Sequence, residues 1–189
     1  MKAKPIRAYL QVRGYTCGYA STLTVLHAFQ KRIKPIDLYK RLGTDHGGTG
    51  QTAIIRELRA GGVSANLRYN LDFEALKRSI DAGKLIIGYH HRVEHWVVIY
   101  GYGTSPNRVF IADPVVEWRS EHLWEQYGPK LQNFGIVCSG RRRARTGPIP
   151  TVQPAQIPVT APALPTTPMA SEIAQLANIS APTPAQAVA

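Results

Sequence analysis

The sequence predicts an α+β domain in which N-terminal helices pack on an antiparallel sheet, followed by an extended tail. Apolar residues recur at helical spacing up to residue 82, whereas short runs rich in Ile, Val, Tyr and Phe follow from residue 84 to residue 138. Helices first and strands second is the order expected of an α+β fold. The composition then changes, because residues 147–189 hold nine of the 14 prolines and no Lys or Arg. We therefore expect a domain over residues 1–146 and a flexible Pro/Ala-rich tail over residues 147–189.

Four helices are predicted ahead of the sheet, after a short extended segment at residues 6–12. In residues 19–31 apolar side chains return every three or four positions, and Thr16 is placed to cap this first helix. Gly43 ends the second helix, and Asp72 has the side chain of an N-cap for the fourth. The second, third and fourth helices are predicted at residues 36–42, 51–60 and 73–82.

The strands are predicted where the spacing of apolar residues changes. Turn residues separate the runs, and the connections are short, so neighbouring strands should pair antiparallel. A further short helix, capped by Ser120, is predicted at residues 120–127. We expect the helices to form a layer on one side of the sheet. The predicted strands are residues 84–89, 95–102, 108–112 and 134–138.

Cysteine usage and hydropathy exclude several classes of protein. Cys17 and Cys138 are the only two cysteines and lie far apart in the sequence, which excludes a disulfide scaffold and a paired-thiol zinc site. The basic N-terminus is not followed by the apolar stretch of a signal peptide, and no run approaches the ~20 apolar residues that span a bilayer. We therefore expect a cytoplasmic protein with no transmembrane segment, no metal and no cofactor.

The predicted domain carries the positive charge of the chain. All 23 Lys and Arg lie in residues 1–146 with 11 of the 12 acids, which gives 23 − 11 = +12 for the domain and −1 for the tail. Such charge is typical of contact with nucleic acid, an anionic surface or an acidic protein. No nucleic-acid-binding motif accompanies it, so a basic surface that contacts only solvent is the alternative. The charge is densest in one cluster, Arg141, Arg142, Arg143 and Arg145.

One segment of the tail differs from the rest. Ser171 is a suitable N-cap for residues 171–179, in which Ile173 and Leu176 follow at helical spacing. This pattern predicts a short amphipathic helix that docks on the domain or on a partner.

Cys17 is the candidate nucleophile. It lies at the start of the first predicted helix, where unpaired backbone N–H groups and the helix dipole favour the thiolate. Gly18 is expected to remove side-chain bulk where a substrate carbonyl would approach. A free cysteine taken alone is more often a small buried apolar side chain.

Three other polar residues favour the catalytic interpretation. The side-chain amide of Gln11 can donate to a developing oxyanion beside the backbone N–H of Cys17. His95 opens a predicted strand, where its ring can act as a general base. Asp113 ends the next strand and can orient that imidazole. Each has a plainer explanation, as a loop glutamine, a strand-edge histidine and an Asp-Pro turn, but the four residues together are harder to explain in that way.

Two other patterns suggest different sites. On a helix, His91 and His95 would share a face and could bind a metal, but the flanking residues predict strand, turn and strand. His91 is therefore kept as the second candidate for the base. The glycines at residues 47–50 precede a helix, yet the Lys-Ser/Thr ending of a phosphate-binding P-loop is missing. Three aromatic residues are expected to line a groove or, equally, to pack in the core: Tyr15, Tyr19 and Trp96.

These residues carry a resemblance to a known family. The segment QVRGYTCGYA, which begins at Gln11, resembles the Gln…Cys-Gly-x-Ala motif of the C39 peptidases, papain-like cysteine peptidases best known for trimming double-glycine leader peptides. The segments HWVVIYG and IADP are similar to the family's His-aromatic-Val-Val strand and its Asp-Pro. The resemblance covers residues 6–138. It implies a papain-like fold with Cys17 as nucleophile, His95 as base, Asp113 as orienting acid and Gln11 in the oxyanion hole.

The resemblance also implies an activity. The expected function is a cysteine peptidase that cleaves a peptide or isopeptide bond of a peptide or protein substrate through a thioester, and acyl transfer or deamidation can use the same residues. The chain shows no transmembrane segment or ATP-binding cassette, so it resembles the stand-alone form. Thr16 stands where the family usually has Asp, which departs from the leader-peptidase pattern. The alternative is a catalytically inactive papain-like module that binds nucleic acid or an acidic protein through its basic surface.

Overall fold

The computed structural model describes residues 1–115, 119–132 and 134–140. The arginine cluster at residues 141–145, the predicted boundary at residue 146, the tail and its predicted helix at residues 171–179 lie outside the described residues.

The described residues form a seven-stranded sheet and five α-helices. The helices are α1 (Cys17–Ala28), α2 (Pro35–Leu42), α3 (Gln51–Ala60), α4 (Phe73–Asp81) and α5 (Trp124–Tyr127). The strands are β1 (Lys2–Ala3), β2 (Ser64–Arg68), β3 (Leu85–His90), β4 (His95–Thr104), β5 (Asn107–Ala112), β6 (Ser120–Leu123) and β7 (Gly135–Ser139). None of the helices in these described ranges is long and apolar enough to cross a membrane.

The sheet is antiparallel throughout, as predicted from the short connections. Its order is β2-β7-β3-β4-β5-β6, and β1 pairs with the far end of β4. The last strand, β7, lies between β2 and β3 and so joins β2 to the rest of the sheet. The pairing of β4 with β5 shifts register between Ile99 and Gly101, which is a β-bulge.

Helices cover both faces of this sheet. On one face α1, α2 and α3 bury apolar side chains such as Leu26 and Ile54 against the strands. On the other face α4 and α5 pack on alternate strand residues, with Leu76 and Ile99 fully buried. The predicted α+β class, with N-terminal helices packed on an antiparallel sheet, is confirmed. The expected single helical layer is wrong, because α4 follows β2 onto the opposite face.

The local sequence explains most of the helix ends. Asp72 accepts a hydrogen bond from the Ala75 backbone N–H at 2.7 Å, which is the predicted N-cap of α4. Gly43 adopts φ = 61° after α2, the left-handed conformation that glycine accepts most easily. Thr16 does precede α1, but its hydroxyl donates to the Arg13 carbonyl at 3.0 Å and makes no capping bond to the helix.

One prediction of secondary structure is wrong, and two strands were not predicted. Residues 120–127 are not one helix, because residues 120–123 form the edge strand β6, whose Glu121 pairs with Arg108 of β5 at 2.6 Å. The strand β1, at Lys2 and Ala3, was not predicted, and residues 6–12, expected to be extended, belong to no helix or strand. The strand β2 was not predicted, since its polar residues alternate around a single fully buried side chain, Ala65.

Candidate active site

Cys17 is the first residue of α1 and lies over the start of β4. The hydroxyl of Ser21, one turn along the helix, donates to the Trp96 carbonyl at 3.1 Å. The Trp96 indole N–H in turn donates to the Thr49 carbonyl at 3.0 Å. These buried bonds fix the N-terminal turn of α1 relative to β4 and to the loop that precedes α3.

His95 and Asp113 come from neighbouring strands. His95 is the first residue of β4, Asp113 directly follows β5, and Val98 pairs with Ala112 in the register between these strands. Nε2 of His95 and Oδ1 of Asp113 are 2.8 Å apart. The same carboxylate oxygen accepts the backbone N–H of Val115 at 2.9 Å. Asp113 is therefore fixed by its own turn while it holds the histidine ring.

The thiol and the imidazole stabilise each other's charged forms. Burial alone would raise the pKa of Cys17, but hydrogen bonds from His95 and from the backbone N–H of Trp96 lower it below its usual value. Burial alone would lower the pKa of His95, but its hydrogen bonds to Asp113 and Cys17 raise it to about 9. Burial likewise opposes ionisation of Asp113, whose pKa is nevertheless lowered by His95 and the Val115 N–H. Because Nε2 is bonded to Asp113, Nδ1 is the ring nitrogen left for the thiol.

Gln11 lies in the segment that leads to Cys17. Its backbone N–H donates to the Pro114 carbonyl at 2.9 Å, next to Asp113. Its side-chain Nε2 donates to the Gly14 carbonyl at 3.2 Å, while Oε1 is buried without a hydrogen-bond partner among the described residues. The structure thus brings Cys17, His95 and Asp113 into one chain of contacts, and attaches Gln11 to the loop just before the thiol.

Glycine is required at position 18 for a reason that differs from the expected access of a substrate carbonyl. A Cβ at this position would lie 2.6 Å from Thr49 Cβ and 3.0 Å from Trp96 Cδ1. The space beside Gly18 is therefore filled by protein and is not open for a substrate carbonyl. Glycine is needed because α1 packs directly on the loop before α3 and on β4.

A groove of about 860 Å³ opens at Cys17. One wall is the loop at residues 46–51, and Tyr89 and Phe134 also line the groove. The loop is braced at its base, where the buried hydroxyls of Thr44 and Thr49 are hydrogen-bonded at 2.8 Å. Its glycines leave backbone exposed along the groove, so the wall presents peptide groups to a ligand.

The three predicted aromatic residues divide between groove and core. Tyr15 lines the groove, with its ring 4.8 Å from that of His46. Trp96 is almost fully buried but forms part of the groove floor. Tyr19 is a core residue and packs edge-on against Tyr39.

His91 is held away from the catalytic ring. It begins a 3₁₀ turn between β3 and β4, and its ring packs edge-on against Tyr89 at 4.9 Å. It lines the groove, whereas Asp113 is bonded to His95. In the three described stretches of chain, no group of three His, Cys, Asp or Glu side chains is placed to hold a metal ion.

Sequence reasoning missed part of the site. The backbone N–H of Trp96 and the carbonyl of Thr49 carry no signal in side-chain chemistry, because they act through the main chain. Tyr69 and Phe134 line the groove from opposite ends of the sequence, and their rings pack at 5.7 Å. Only the β2–β7 pairing brings them together, so they could have been found only by predicting β2.

Comparison with solved structures supports the fold class. The double-glycine motif protease from an AMS/PCAT transporter, determined with its leader peptide, matches with a TM-score of 0.63 at 19% identity, over 74% of this chain and 95% of that one. The peptidase domain of Streptococcus ComA, a bifunctional ABC transporter of a quorum-sensing pathway, matches with a TM-score of 0.58 at 17% identity, over 71% and 98%. The ComA peptidase domain of Streptococcus mutans matches with a TM-score of 0.51 at 17% identity, over 70% and 98%.

Fold and neighbours define a papain-like α+β domain. The family model for the peptidase C39 family matches residues 6–123, and the chain belongs to that family. Comparison with curated proteins finds no match.

Proposed function

We propose that the protein hydrolyses a peptide bond with Cys17 as nucleophile, His95 as general base and acid, and Asp113 as the group that orients His95. The observation that carries this proposal is the continuous contact from thiol to imidazole to carboxylate, in which the pKa of Cys17 is lowered and that of His95 is raised to about 9. These shifts favour a thiolate paired with an imidazolium over the neutral pair. The nucleophile is therefore more readily ionised than an ordinary cysteine.

The reaction proceeds through a thioester. The Cys17 thiolate attacks the scissile carbonyl carbon, a C–S bond forms, and the carbonyl oxygen becomes an oxyanion. The C–N bond then breaks as the imidazolium of His95 gives its proton to the leaving amine. Water next attacks the thioester, His95 takes its proton, and the C–S bond breaks to release the carboxylic acid and restore the thiolate.

Two donors are proposed for the oxyanion. The backbone N–H of Cys17 belongs to the first turn of α1, where N–H groups have no partner within the helix. The Gln11 amide uses one N–H on the Gly14 carbonyl and retains a second for the substrate oxygen. The Oε1 of the same amide is an acceptor, buried without a partner among the described residues, and takes no part in binding the oxyanion.

For the substrate we propose an extended peptide of the double-glycine leader type. The similar protease from the AMS/PCAT transporter was determined with a leader peptide, and the glycine-rich wall of this groove offers backbone groups with which an extended peptide can form hydrogen bonds. Thr16, which replaces the family's usual Asp, bonds its own loop, so it presents no charge to the substrate.

An electrophilic peptide tests the nucleophile directly. A peptide ending in a Gly-Gly vinyl sulfone should add once, at Cys17, and intact-mass and fragment spectra should show Cys138 unmodified. Cys17→Ala should gain no adduct, whereas Cys138→Ala should react like the wild type and serves as the matched control. Folded wild type that gains no adduct would favour the alternative, a catalytically inactive module that binds a partner.

The fate of the thioester separates hydrolysis from transfer. When a leader-type peptide is cleaved in water enriched in ¹⁸O, hydrolysis places one ¹⁸O in the new carboxylate. Acyl transfer would instead yield a product joined to an added amine, and deamidation would release ammonia with the backbone intact. Incorporation of ¹⁸O at a cleaved backbone bond is the result that we expect.

A further inference from the structure

A second concave site, of about 360 Å³, lies beside the edge strand β2 on the face of the sheet that α4 covers. Three cations line it: Arg68 at the end of β2, Arg78 on α4 and Lys84 just before β3. Asn70 and Ser139 add polar groups that can donate hydrogen bonds. No carboxylate belongs to the part of the lining that the structure describes. We call this site the cationic pocket.

The acidic residues nearest in sequence to the pocket cations form hydrogen bonds or ion pairs with groups other than those cations. Asp72 caps α4, and Glu74 pairs with Lys77 at 3.0 Å. Asp81 pairs with Lys2 at 3.0 Å and also accepts a hydrogen bond from a tyrosine of β4. Within the described residues the three pocket cations therefore have no carboxylate partner. No anion among the described residues relieves their mutual repulsion.

The cationic pocket adjoins the groove of the proposed active site. Tyr69 lines both, and its side chain is 70% exposed. Its ring packs on Phe134 of the groove wall at 5.7 Å. A peptide that lies extended in the groove from Cys17 toward Tyr69 is directed at the side chain that the groove shares with the pocket.

We propose that the cationic pocket is a subsite for an acidic side chain of the peptide that occupies the groove, several residues away from the bond that is cut. The proposal rests on the proposed function for the direction and nature of the bound chain. It gives part of the large positive charge of the domain a defined role. A carboxylate fits the pocket, because guanidinium and ammonium groups surround it from β2, α4 and the start of β3 and can bond it from several sides.

A peptide fits this geometry better than a nucleic acid does. Strands of nucleic acid are followed by a continuous track of cations and by stacked aromatic side chains. Here three cations converge on one small concavity, and the single shared aromatic residue, Tyr69, is packed on the groove wall.

Binding to the Cys17→Ala protein tests the pocket without catalysis. Two fluorescein-labelled probes are compared, peptides of alternating Ala and Glu or alternating Ala and Gln, each ending in Gly-Gly. At low salt we expect the Glu probe to bind about tenfold more tightly than the Gln probe, with the preference shrinking as salt is added. Adding Arg68→Gln, Arg78→Gln and Lys84→Gln should abolish that preference.

A matched variant removes the same charge elsewhere. Arg32→Gln, Lys34→Gln and Lys40→Gln change three exposed cations that lie just before α2 or within it, and should keep the preference for the Glu probe. Thermal unfolding of both triple variants verifies that they fold. The proposal is overturned if both variants lose the preference equally, because the general field of the protein would then explain it, or if the parent does not prefer Glu at all.

A single-stranded oligonucleotide provides the other outcome. If the parent binds it through the same three cations and ignores the Glu probe, the pocket serves nucleic acid and the proposal is wrong. Failure of the catalytic proposal is detected separately, by the absence of a vinyl sulfone adduct at Cys17, whereas these titrations use protein that lacks that thiol.

Discussion

The two cysteines of this chain are similarly buried, but the pKa values of their thiols are shifted in opposite directions. Cys17 is 4% exposed at the start of α1, and Cys138 is 0% exposed near the end of β7. Burial raises the pKa of Cys138 to about 12. The same cause acts on Cys17, yet its pKa is lowered, because His95 and two backbone N–H groups stabilise the thiolate.

The difference shows that exposure does not decide the reactivity of a thiol in this fold. Cys138 points its sulfur at the Ile136 carbonyl, an acceptor at 3.4 Å, which favours the protonated thiol. Cys17 faces donors and a ring that can hold positive charge. Cys138 also receives a backbone N–H, from Ile87, so the group that separates the two buried thiols is the imidazole beside Cys17.

Removal of His95 should reduce the difference in alkylation rate between Cys17 and Cys138 more than any other change. In His95→Ala the Cys17 thiol keeps its burial and loses its main charge partner, so we expect alkylation by iodoacetamide at neutral pH to slow by about 100-fold. Mass spectrometry of the modified peptide measures the rate at each cysteine. His27→Gln, in the last turn of the same helix, is the matched control and should react like the wild type. Unchanged labelling in His95→Ala would show that the helix terminus alone activates the thiol.

The stability of the protein should also depend on this histidine in a defined pH window. The folded-state pKa of His95 is raised from 6.5 to about 9, so its contribution is fully present below about pH 6.5 and is lost as the pH rises through about 9. Wild type should exceed His95→Gln in free energy of unfolding by on the order of 2–3 kcal/mol at pH 6. That gap should close by pH 10. Urea titrations across this range measure it, and a gap that does not vary with pH would contradict the assignment.

Neutralising the carboxylate should have a smaller effect than losing the ring. Asn at position 113 can still accept a hydrogen bond from Nε2 of His95, but it no longer stabilises the imidazolium charge. We expect Asp113→Asn to lower the alkylation rate of Cys17 by about tenfold. The pH at which the alkylation rate of Cys17 reaches half its maximum should also rise. Asp37→Asn, in the first turn of α2, is the control and should change neither quantity.

Of these changes, replacement of Cys138 should have the least effect on the reactivity of Cys17. Cys138→Ala removes a fully buried sulfur from the core, so we expect a loss of about 1 kcal/mol of stability. The alkylation rate of Cys17 should remain that of the wild type. In the wild-type protein Cys138 should be labelled only under unfolding conditions. Rapid labelling of Cys138 in the folded protein would show that burial and nearby acceptors do not suppress it.

The sequence was sufficient where a side chain acts alone or a helix pattern is strong. The spans of α2, α3 and α4 follow from apolar spacing and from Asp72 and Gly43, and the family resemblance rests on contiguous motifs around Cys17 and His95. The strand β2 could not be predicted, because it is stabilised by pairing with β7 from the far end of the domain. The groove wall at Tyr69 and Phe134 and the cationic pocket could not be predicted either, because both depend on that pairing.

Gly18 shows a second limit of sequence reasoning. A glycine after a nucleophile suggests access for substrate, but its neighbours Thr49 and Trp96 come from distant segments. Only their positions in space reveal that the missing side chain makes room for the protein itself.

The bulge between Ile99 and Gly101 divides β4 into two parts with different tolerance to insertion or deletion. Before the bulge, adding one residue would turn each following side chain to the other face and move His95 out of phase with the strands around it. Beyond it, the hairpin that joins β4 to β5 can vary in length at its turn, because Ser105 and Pro106 belong to no strand. We therefore expect insertions at that turn to leave the position of His95 unchanged.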